Sequence, residues 1–134
     1  DVFSAGKADW LRQGKDATII TYGAVTPACI EAWQLLKDAG KSVGVLNMAS
    51  LLPMDEEAVL AAAAIGPIVT VEDHHVDTGL GASVAVTLLD KGLAPKLKRL
   101  GVKQYGGSGS PADLYRQQGL DGESIAQTVE ELLA

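Results

Sequence analysis

Residues 17–40 read ATIITYGAVTPACIEAWQLLKDAG, and the spacing of their apolar residues changes partway along. Ala17–Tyr22 is a short run of β-branched and aromatic residues that stops at a glycine, which predicts a strand buried on both faces. Thr26 then offers an N-cap hydroxyl, Pro27 falls at the first helical position, and apolar residues recur at helical spacing as far as Gly40. The stretch therefore predicts a strand followed directly by a helix.

The same pattern of a strand and then a helix recurs along the chain. Strands are predicted at 42–48, 68–72 and 96–102, and helices at 55–65, 79–89, 110–119 and 121–133. Strands that alternate with helices pair in parallel, because a parallel neighbour needs a connection as long as a helix. Ala8–Gln13 is a further candidate strand, and the short turn at 14–16 would make it antiparallel to the strand that follows. The predicted fold class is three-layer α/β.

Composition limits the classes of protein that this chain can belong to. Its 134 residues are 47% hydrophobic and 21% charged, without repeats or low-complexity segments, which predicts a single globular domain over residues 1–134. No apolar run approaches the roughly 20 residues that cross a bilayer, and no secretion signal is seen, which argues against a membrane or secreted protein. The single cysteine, Cys29, rules out a disulfide within the chain and favours a reducing compartment, so we expect a cytoplasmic protein. Because the chain begins at Asp1 without an initiator methionine, we also expect it to be part of a longer polypeptide.

The net charge of −6 argues against a nucleic-acid partner, since a phosphate backbone would be repelled. The densest basic group consists of Lys96, Lys98, Arg99 and Lys103, with leucines at 97 and 100 between them. Such alternation is typical of the solvent side of a strand and its neighbouring loop.

Ionisable side chains are densest at residues 72–77 (EDHHVD), at the carboxyl end of the third predicted buried strand. The carboxyl end of such a strand is where ligands bind in open α/β sheets, and both histidines of the chain, His74 and His75, lie here. Glu72 and His74 would share a face of an extended strand and could begin a Zn²⁺ or Mn²⁺ site, but no third ligand is evident. We favour the alternative that these groups pair with one another or with backbone, at a strand end or a subunit contact.

A glycine-containing segment, residues 79–84 (GLGASV), follows this cluster. It has the first two glycines of a dinucleotide fingerprint, but Val84 replaces the third and no acidic residue stands about 20 positions later. The glycines are therefore expected to let a helix N-terminus approach another backbone closely, with an anion at that N-terminus as an open alternative.

Two further candidate motifs are incomplete. The segment 106–110 (GGSGS) lacks the lysine of a phosphate-binding loop, and Cys29 has no histidine nearby in the sequence that could activate its thiol. The residues alone indicate no self-contained catalytic apparatus.

Taken in order, a series of short motifs resembles the carboxy-terminal domain of transketolase over nearly the whole chain. The matching segments are 6–8 (GKA), 11–20 (LRQGKDATII), 52–55 (LPMD), 69–74 (VTVEDH), 79–81 (GLG), 108–109 (SG), 114–115 (LY) and 119–120 (GL). Thr78 stands where members of that family usually carry a further glycine, and Leu52 replaces a lysine that is common before the proline.

This resemblance implies a fold and a function. Transketolases, enzymes of the pentose phosphate pathway, transfer a two-carbon ketol unit between sugar phosphates, using thiamine diphosphate and a divalent metal such as Mg²⁺. Both cofactors are held between the other two domains of a homodimer, so no catalytic, cofactor-binding or metal-binding residue is expected in this chain, which would be inactive alone. The implied fold is a three-layer α/β/α sandwich whose mixed five-stranded sheet has one antiparallel strand.

The resemblance also implies a role for the polar segment. The family's carboxy-terminal domain is expected to assemble the dimer with the remaining domains or a partner subunit, and a regulatory ligand has been proposed for it. The candidate interface or anion-site residues are Glu72, Asp73, His74, His75, Gly79 and Gly81. They would then lie at an interface and support the architecture of the active site.

Two other functions remain open. The same fold belongs to related thiamine enzymes, namely 1-deoxyxylulose-5-phosphate synthase and the beta subunit of 2-oxo-acid dehydrogenases, although 72–74 (EDH) and 108–109 (SG) favour transketolase. The third possibility is a stand-alone module that binds a small anion at the helix beginning near Gly79.

Overall fold

A computed structural model describes residues 7–49, 54–103 and 110–134. The strands in these ranges are β1 (Asp9–Arg12), β2 (Ala17–Thr21), β3 (Val43–Asn47), β4 (Ile68–His75) and β5 (Leu97–Val102). The helices are α1 (Thr26–Asp38), α2 (Glu56–Ile65), α3 (Leu80–Asp90), α4 (Pro111–Gln118) and α5 (Gly122–Leu133), with a 3₁₀ turn at Gly23–Val25. The glycine-rich segment at 106–109 and the motif residues at 6, 52 and 53 lie outside the described residues.

The five strands form one mixed sheet in the order β1-β3-β2-β4-β5. β1 runs antiparallel to β3, and every other pair is parallel. The predicted sheet, with one antiparallel strand, is therefore confirmed. As expected from the short turn at 14–16, β1 runs in the direction opposite to β2, although the two strands are not neighbours. β2 has no free edge, because β3 and β4 flank it on both sides, so β1 pairs instead with the outer edge of β3.

Helices cover both faces of the sheet and give the predicted three layers. One buried cluster joins strand residues such as Ile19 and Val45 to α1 and α5. The other joins Ile20 and Leu46 to α2 and α3. Because successive strand residues point to opposite faces, strands with an apolar layer on each side carry almost continuous apolar runs, as in the stretch from which β2 was predicted.

The helices begin largely where the sequence predicts. The hydroxyl of Ser110, the first residue of the helix predicted at 110–119, caps α4 by accepting a hydrogen bond from the backbone N–H of Asp113 at 3.2 Å. The predicted N-cap at Thr26 is wrong, since α1 is capped by Val25 and no side chain accepts a hydrogen bond there. The 3₁₀ turn leads directly into α1, so the backbone is already helical when it reaches Thr26.

Asp55 joins two layers of the fold. One of its carboxylate oxygens caps α2 by accepting the N–H of Ala58 at 3.1 Å, and the other accepts the N–H of Ala8, just before β1, at 2.8 Å.

No helix in the described ranges is both long and apolar enough to span a membrane.

Candidate functional site at the carboxyl end of the sheet

β4 continues three residues past its predicted end, to His75, so the first four residues of the polar cluster lie on the strand. Glu72 is completely buried, whereas the side chain of His74 is 61% exposed. The backbone of His75 still pairs with Val102 of β5, and its side chain lies outside the described part of the chain. The cluster is therefore divided between an inner carboxylate and outward-facing groups.

The carboxylate of Glu72 caps helix α3 from the neighbouring strand. Its Oε1 accepts the N–H of Leu80 and its Oε2 accepts the N–H of Gly81, both at 2.8 Å. The N-cap residue of α3, Gly79, has no side chain that could do this. A helix N-terminus has unpaired N–H groups and a partial positive charge, so a buried carboxylate satisfies it well.

The glycines around Glu72 leave room for this arrangement. A Cβ on Gly79 would overlap Glu72 Oε1, and a Cβ on Gly101 of β5 would lie 3.2 Å from Glu72 Cγ. A Cβ on Gly81 would lie 2.7 Å from Thr70 Oγ1. The glycines therefore permit a close approach, as predicted, but the helix end mainly approaches the side chains of β4 and not another backbone.

The outer part of the site is a small group of ionisable side chains. The rings of Tyr22, which directly follows β2, and His74 have centroids 5.7 Å apart and are tilted by 30°. Asp73 Oδ1 lies 3.7 Å from His74 Nε2. Burial, together with the nearby carboxylates of Glu72 and Asp73, raises the pKa of Tyr22.

Arg99 departs from its predicted place among solvent-facing basic residues. Lys96, Lys98 and Lys103 are exposed as expected, whereas Arg99 is half-buried. Its Nη1 donates to the carbonyl oxygen of Val76 at 3.0 Å, and its Cγ would lie 3.0 Å from a Cβ on Gly81. Arg99 therefore holds the segment after β4 against the start of α3.

The contacts of Glu72 bear on the two ligand hypotheses. Both of its oxygens already accept backbone N–H groups, and no group of three or more potential metal-ligating side chains occurs within 7–49, 54–103 and 110–134. A free anion at the start of α3 would have to displace the chain's own carboxylate. The geometry supports a structural cap that carries an exposed polar face.

Cys29 is buried in the core between the sheet and the α1 and α5 layer. Burial raises the pKa of its thiol to about 12, so the thiolate needed for nucleophilic attack is scarce near neutral pH. The structure thus places Cys29 as a core residue, in line with the sequence.

The raised pKa of Tyr22 predicts a loss of stability at alkaline pH. A pKa that is higher in the folded than in the unfolded state favours folding fully below the unfolded value of about 10 and loses that contribution as the pH rises further. We expect the free energy of unfolding of the natural chain to fall above pH ~10 more steeply than that of Tyr22→Phe. Urea titrations across this pH range measure how steeply the free energy of unfolding falls in each protein. Asp73→Asn should make this fall less steep, because it removes one of the carboxylates that raise the pKa of Tyr22. Identical pH profiles for the natural chain and Tyr22→Phe would refute this account.

The sequence model of "Transketolase, C-terminal domain" matches residues 6–125. This chain belongs to the transketolase C-terminal domain family. Among curated relatives, it is 40% identical over 130 residues to a protein of Methanocaldococcus jannaschii named for the C-terminal section of transketolase, covering 96% of this chain and 40% of that one. It is also 35% identical over 130 residues to the 1-deoxy-D-xylulose-5-phosphate synthase of Shouchella clausii, covering 96% of this chain and 21% of that enzyme. This transketolase-family chain thus spans less than half the length of either relative.

Solved structures give the same family and fold. A split-gene transketolase described as an inactive β4 tetramer superimposes with a TM-score of 0.91 at 33% identity, over 98% of this chain and 43% of that one. A transketolase of Pichia stipitis superimposes with a TM-score of 0.72 at 20% identity, over 96% of this chain and 18% of that one, a likeness that concerns the fold alone.

Three residues of the transketolase-family site were missed by sequence reasoning. Tyr22 could have been found, because the carboxyl ends of the parallel strands β2 and β4 meet at one edge of the sheet. Thr70 lies against the start of α3 and Gly101 lies against Glu72, and nothing in the local sequence of either strand indicates these contacts.

Proposed function

We propose that this chain is the carboxy-terminal assembly domain of a cytoplasmic transketolase that transfers a two-carbon ketol unit between sugar phosphates. The observation that carries the proposal is the close superposition on a split-gene transketolase, with a TM-score of 0.91 over 98% of this chain. The 40% identity to a protein named for a transketolase C-terminal section supports it. In this proposal the other section of the enzyme binds thiamine diphosphate and Mg²⁺, and this chain alone is inactive.

The geometry of the site supports an architectural role. Glu72 is completely buried, and each of its two carboxylate oxygens accepts an N–H at the start of α3, so it is not accessible to a substrate. The exposed His74 and the half-buried Asp73 lie beyond it at the carboxyl edge of the sheet. A polar surface of this kind is suited to a hydrated contact with another domain or subunit.

Self-association is the second part of the proposal. The split-gene neighbour is described as a tetramer of beta chains that is inactive. By analogy, copies of this chain associate with one another, and the active homodimeric arrangement also needs the section that carries the cofactor. The complete assembly would then contain symmetric contacts between copies.

A ketol-transfer assay tests the activity. The assembly captured through this chain is supplied with a ketose phosphate donor, an aldose phosphate acceptor, thiamine diphosphate and Mg²⁺. Transfer of the two-carbon unit is the expected result, and the isolated chain should neither catalyse it nor bind thiamine diphosphate in a calorimetric titration. Thiamine diphosphate binding by the isolated chain would contradict the division of labour proposed here.

A second candidate is 1-deoxyxylulose-5-phosphate synthase, favoured by the 35% identity to that enzyme of Shouchella clausii. Pyruvate consumption without ketol transfer would select it, or the beta subunit of a 2-oxo-acid dehydrogenase, and would leave the fold unchanged. A stand-alone anion-binding module would instead give heat when sugar phosphates or nucleotides are titrated into the isolated chain.

His74 provides a direct test of the assembly role. His74→Ala removes an exposed ring that stacks on Tyr22. We expect the dissociation constant of the complete dimer to rise by about fivefold, which corresponds to ~1 kcal/mol, before turnover changes. Sedimentation velocity measures the dissociation constant, and Lys98→Ala, an exposed change on β5, is the control. A large fall in turnover with an unchanged dissociation constant would refute the assembly role.

A further inference from the structure

The outer face of helix α3 is unusually apolar for a surface helix. Four large hydrophobic side chains are exposed in the described part of the chain, and three of them lie on α3 or in the turn after it. Val86 is 57% exposed, Leu89 is 67% exposed and Leu93 is 40% exposed. The fourth, Leu35 on α1, is 39% exposed and lies on the opposite side of the sheet. The exposed apolar surface is therefore concentrated on one helix.

The spacing of the helical residues places them in one row. Ala82, Val86 and Leu89 follow one another at intervals of four and three residues, which is the spacing of a helix face that packs against another helix. Leu93 lies beyond the helix, after Gly92 with its φ of 72°, and its N–H donates to the carbonyl oxygen of Leu88 at 2.9 Å, which holds it at the end of α3. We call the surface formed by Val86, Leu89 and Leu93, together with the half-buried Ala82, the α3 seam.

Helix α3 also lacks the charged face that a solvated helix normally has. Its sequence, LGASVAVTLLD, contains no charged residue before Asp90. By contrast, α1 presents Glu31 and Lys37 to solvent, and α5 presents Glu130. A surface helix with an apolar outer row and no charge before its last residue is expected to be covered by another apolar surface.

We propose that the α3 seam packs against the α3 seam of a second copy of this chain across a two-fold axis. The proposal rests on the self-association proposed above and names the surface through which the two copies contact each other. A two-fold contact uses the same patch on both copies, and a row of uncharged side chains is complementary to itself. Each copy carries a net charge of −6, so a face without charges is where two copies can approach with least repulsion.

Two-fold packing also suits the ends of the helix. The N-terminus of α3 is already capped by the buried Glu72, so the exposed charges of the helix are at its C-terminus. Asp90 and Lys91 lie at that C-terminus, where Lys91 Nζ is already 3.9 Å from Glu56 Oε1 in the same chain. The contact therefore buries the uncharged length of the helix and leaves its charges at the rim.

The size of the seam predicts that it is one contact among several. A helix of 11 residues is about 16 Å long, and a single pair of such helices buries less than the roughly 1,200–2,000 Å² of a stable interface. The contact is therefore expected to be weak alone and is best tested in the complete assembly, with covalent trapping.

Disulfide trapping gives the first test. The chain has one cysteine, Cys29, which is buried, so a second cysteine on the surface reacts selectively. In Leu89→Cys, a mild oxidant takes two electrons and two protons from a pair of thiols and forms one S–S bond between copies. We expect a covalent dimer from Leu89→Cys and none from Leu35→Cys, the matched leucine on the opposite side of the sheet.

Charge insertion gives the second test. Leu89→Glu should raise the dissociation constant between copies at least tenfold, while Leu35→Glu should leave it unchanged, as measured by sedimentation equilibrium. Both residues are exposed, so circular dichroism is expected to show folded protein in each case.

The possible failures are distinguishable. If copies with Leu89→Glu still associate and Leu89→Cys forms no covalent dimer, the contact through α3 is overturned. The proposed assembly role is then unaffected. A natural chain that stays monomeric in the complete assembly overturns both. Leu89→Glu that blocks binding of the cofactor-carrying section, while copies still associate, shows that the seam meets that section and overturns the proposal of a second copy.

Discussion

Replacement of Glu72 by alanine is expected to lower the free energy of unfolding by about 3–5 kcal/mol, the largest loss expected from any change in the polar cluster. The carboxylate is fully buried and accepts the N–H groups of Leu80 and Gly81. Alanine leaves both donors unpaired and opens a cavity between β4 and α3. Urea unfolding followed by circular dichroism measures the change.

Glutamine at this position separates charge from shape. Glu72→Gln keeps the volume of the side chain, but its NH₂ group cannot accept the second N–H at the start of α3. We expect a loss of about 1–3 kcal/mol, between the natural chain and Glu72→Ala.

Glu57 is the matched control for both variants of Glu72. It lies in the first turn of α2, and its side chain is 89% exposed. Glu57→Ala and Glu57→Gln are expected to change the free energy of unfolding by less than about 0.5 kcal/mol. If Glu72→Ala were no more harmful than Glu57→Ala, the carboxylate would not be holding α3 and the structural interpretation of the cluster would fail.

The sheet illustrates what local sequence can predict. β2 and β3 were predicted to within a residue or two because strands between two helical layers are apolar on both faces, and the helices between them enforce parallel pairing. The neighbour of β1 could not be predicted in this way. A short turn after β1 indicates that the chain reverses direction, but which edge is free depends on the order of all five strands.

The candidate site shows a different limit. An acidic residue at the end of a buried strand can either bind a ligand or pair with another part of the same chain. The local sequence does not distinguish these two roles. In this fold the partner is the start of α3, eight residues further along, and the pairing becomes evident only when Leu80 and Gly81 are seen to donate to Glu72. Two signals were present in the sequence, namely a helix that begins at a glycine with no side-chain cap and an acid at the end of the preceding strand.

Gly79→Ala is expected to lower the free energy of unfolding by about 2–3 kcal/mol, because the new methyl group would occupy the position of Glu72 Oε1. A Cβ on Gly79 would also lie 2.8 Å from Glu72 Cδ, so the whole carboxylate must move away from the start of α3. That movement breaks at least one of the hydrogen bonds from Leu80 and Gly81.

A double-mutant cycle with Glu72→Ala tests this cause directly. All three atoms nearest to the new methyl group belong to the Glu72 carboxyl, so in the Glu72→Ala background Gly79→Ala should cost less than half of what it costs in the natural chain. Any effect of the alanine on its own backbone is common to both backgrounds and cancels from the coupling free energy. Urea unfolding of the natural chain, the two single variants and the double variant measures the four free energies of unfolding. If the losses from the two single changes add up in the double variant, Gly79 is needed for a reason other than the approach of Glu72. A coupling above about 1 kcal/mol would identify glycine and carboxylate as one unit that fixes the start of α3, the helix that carries the proposed contact between copies.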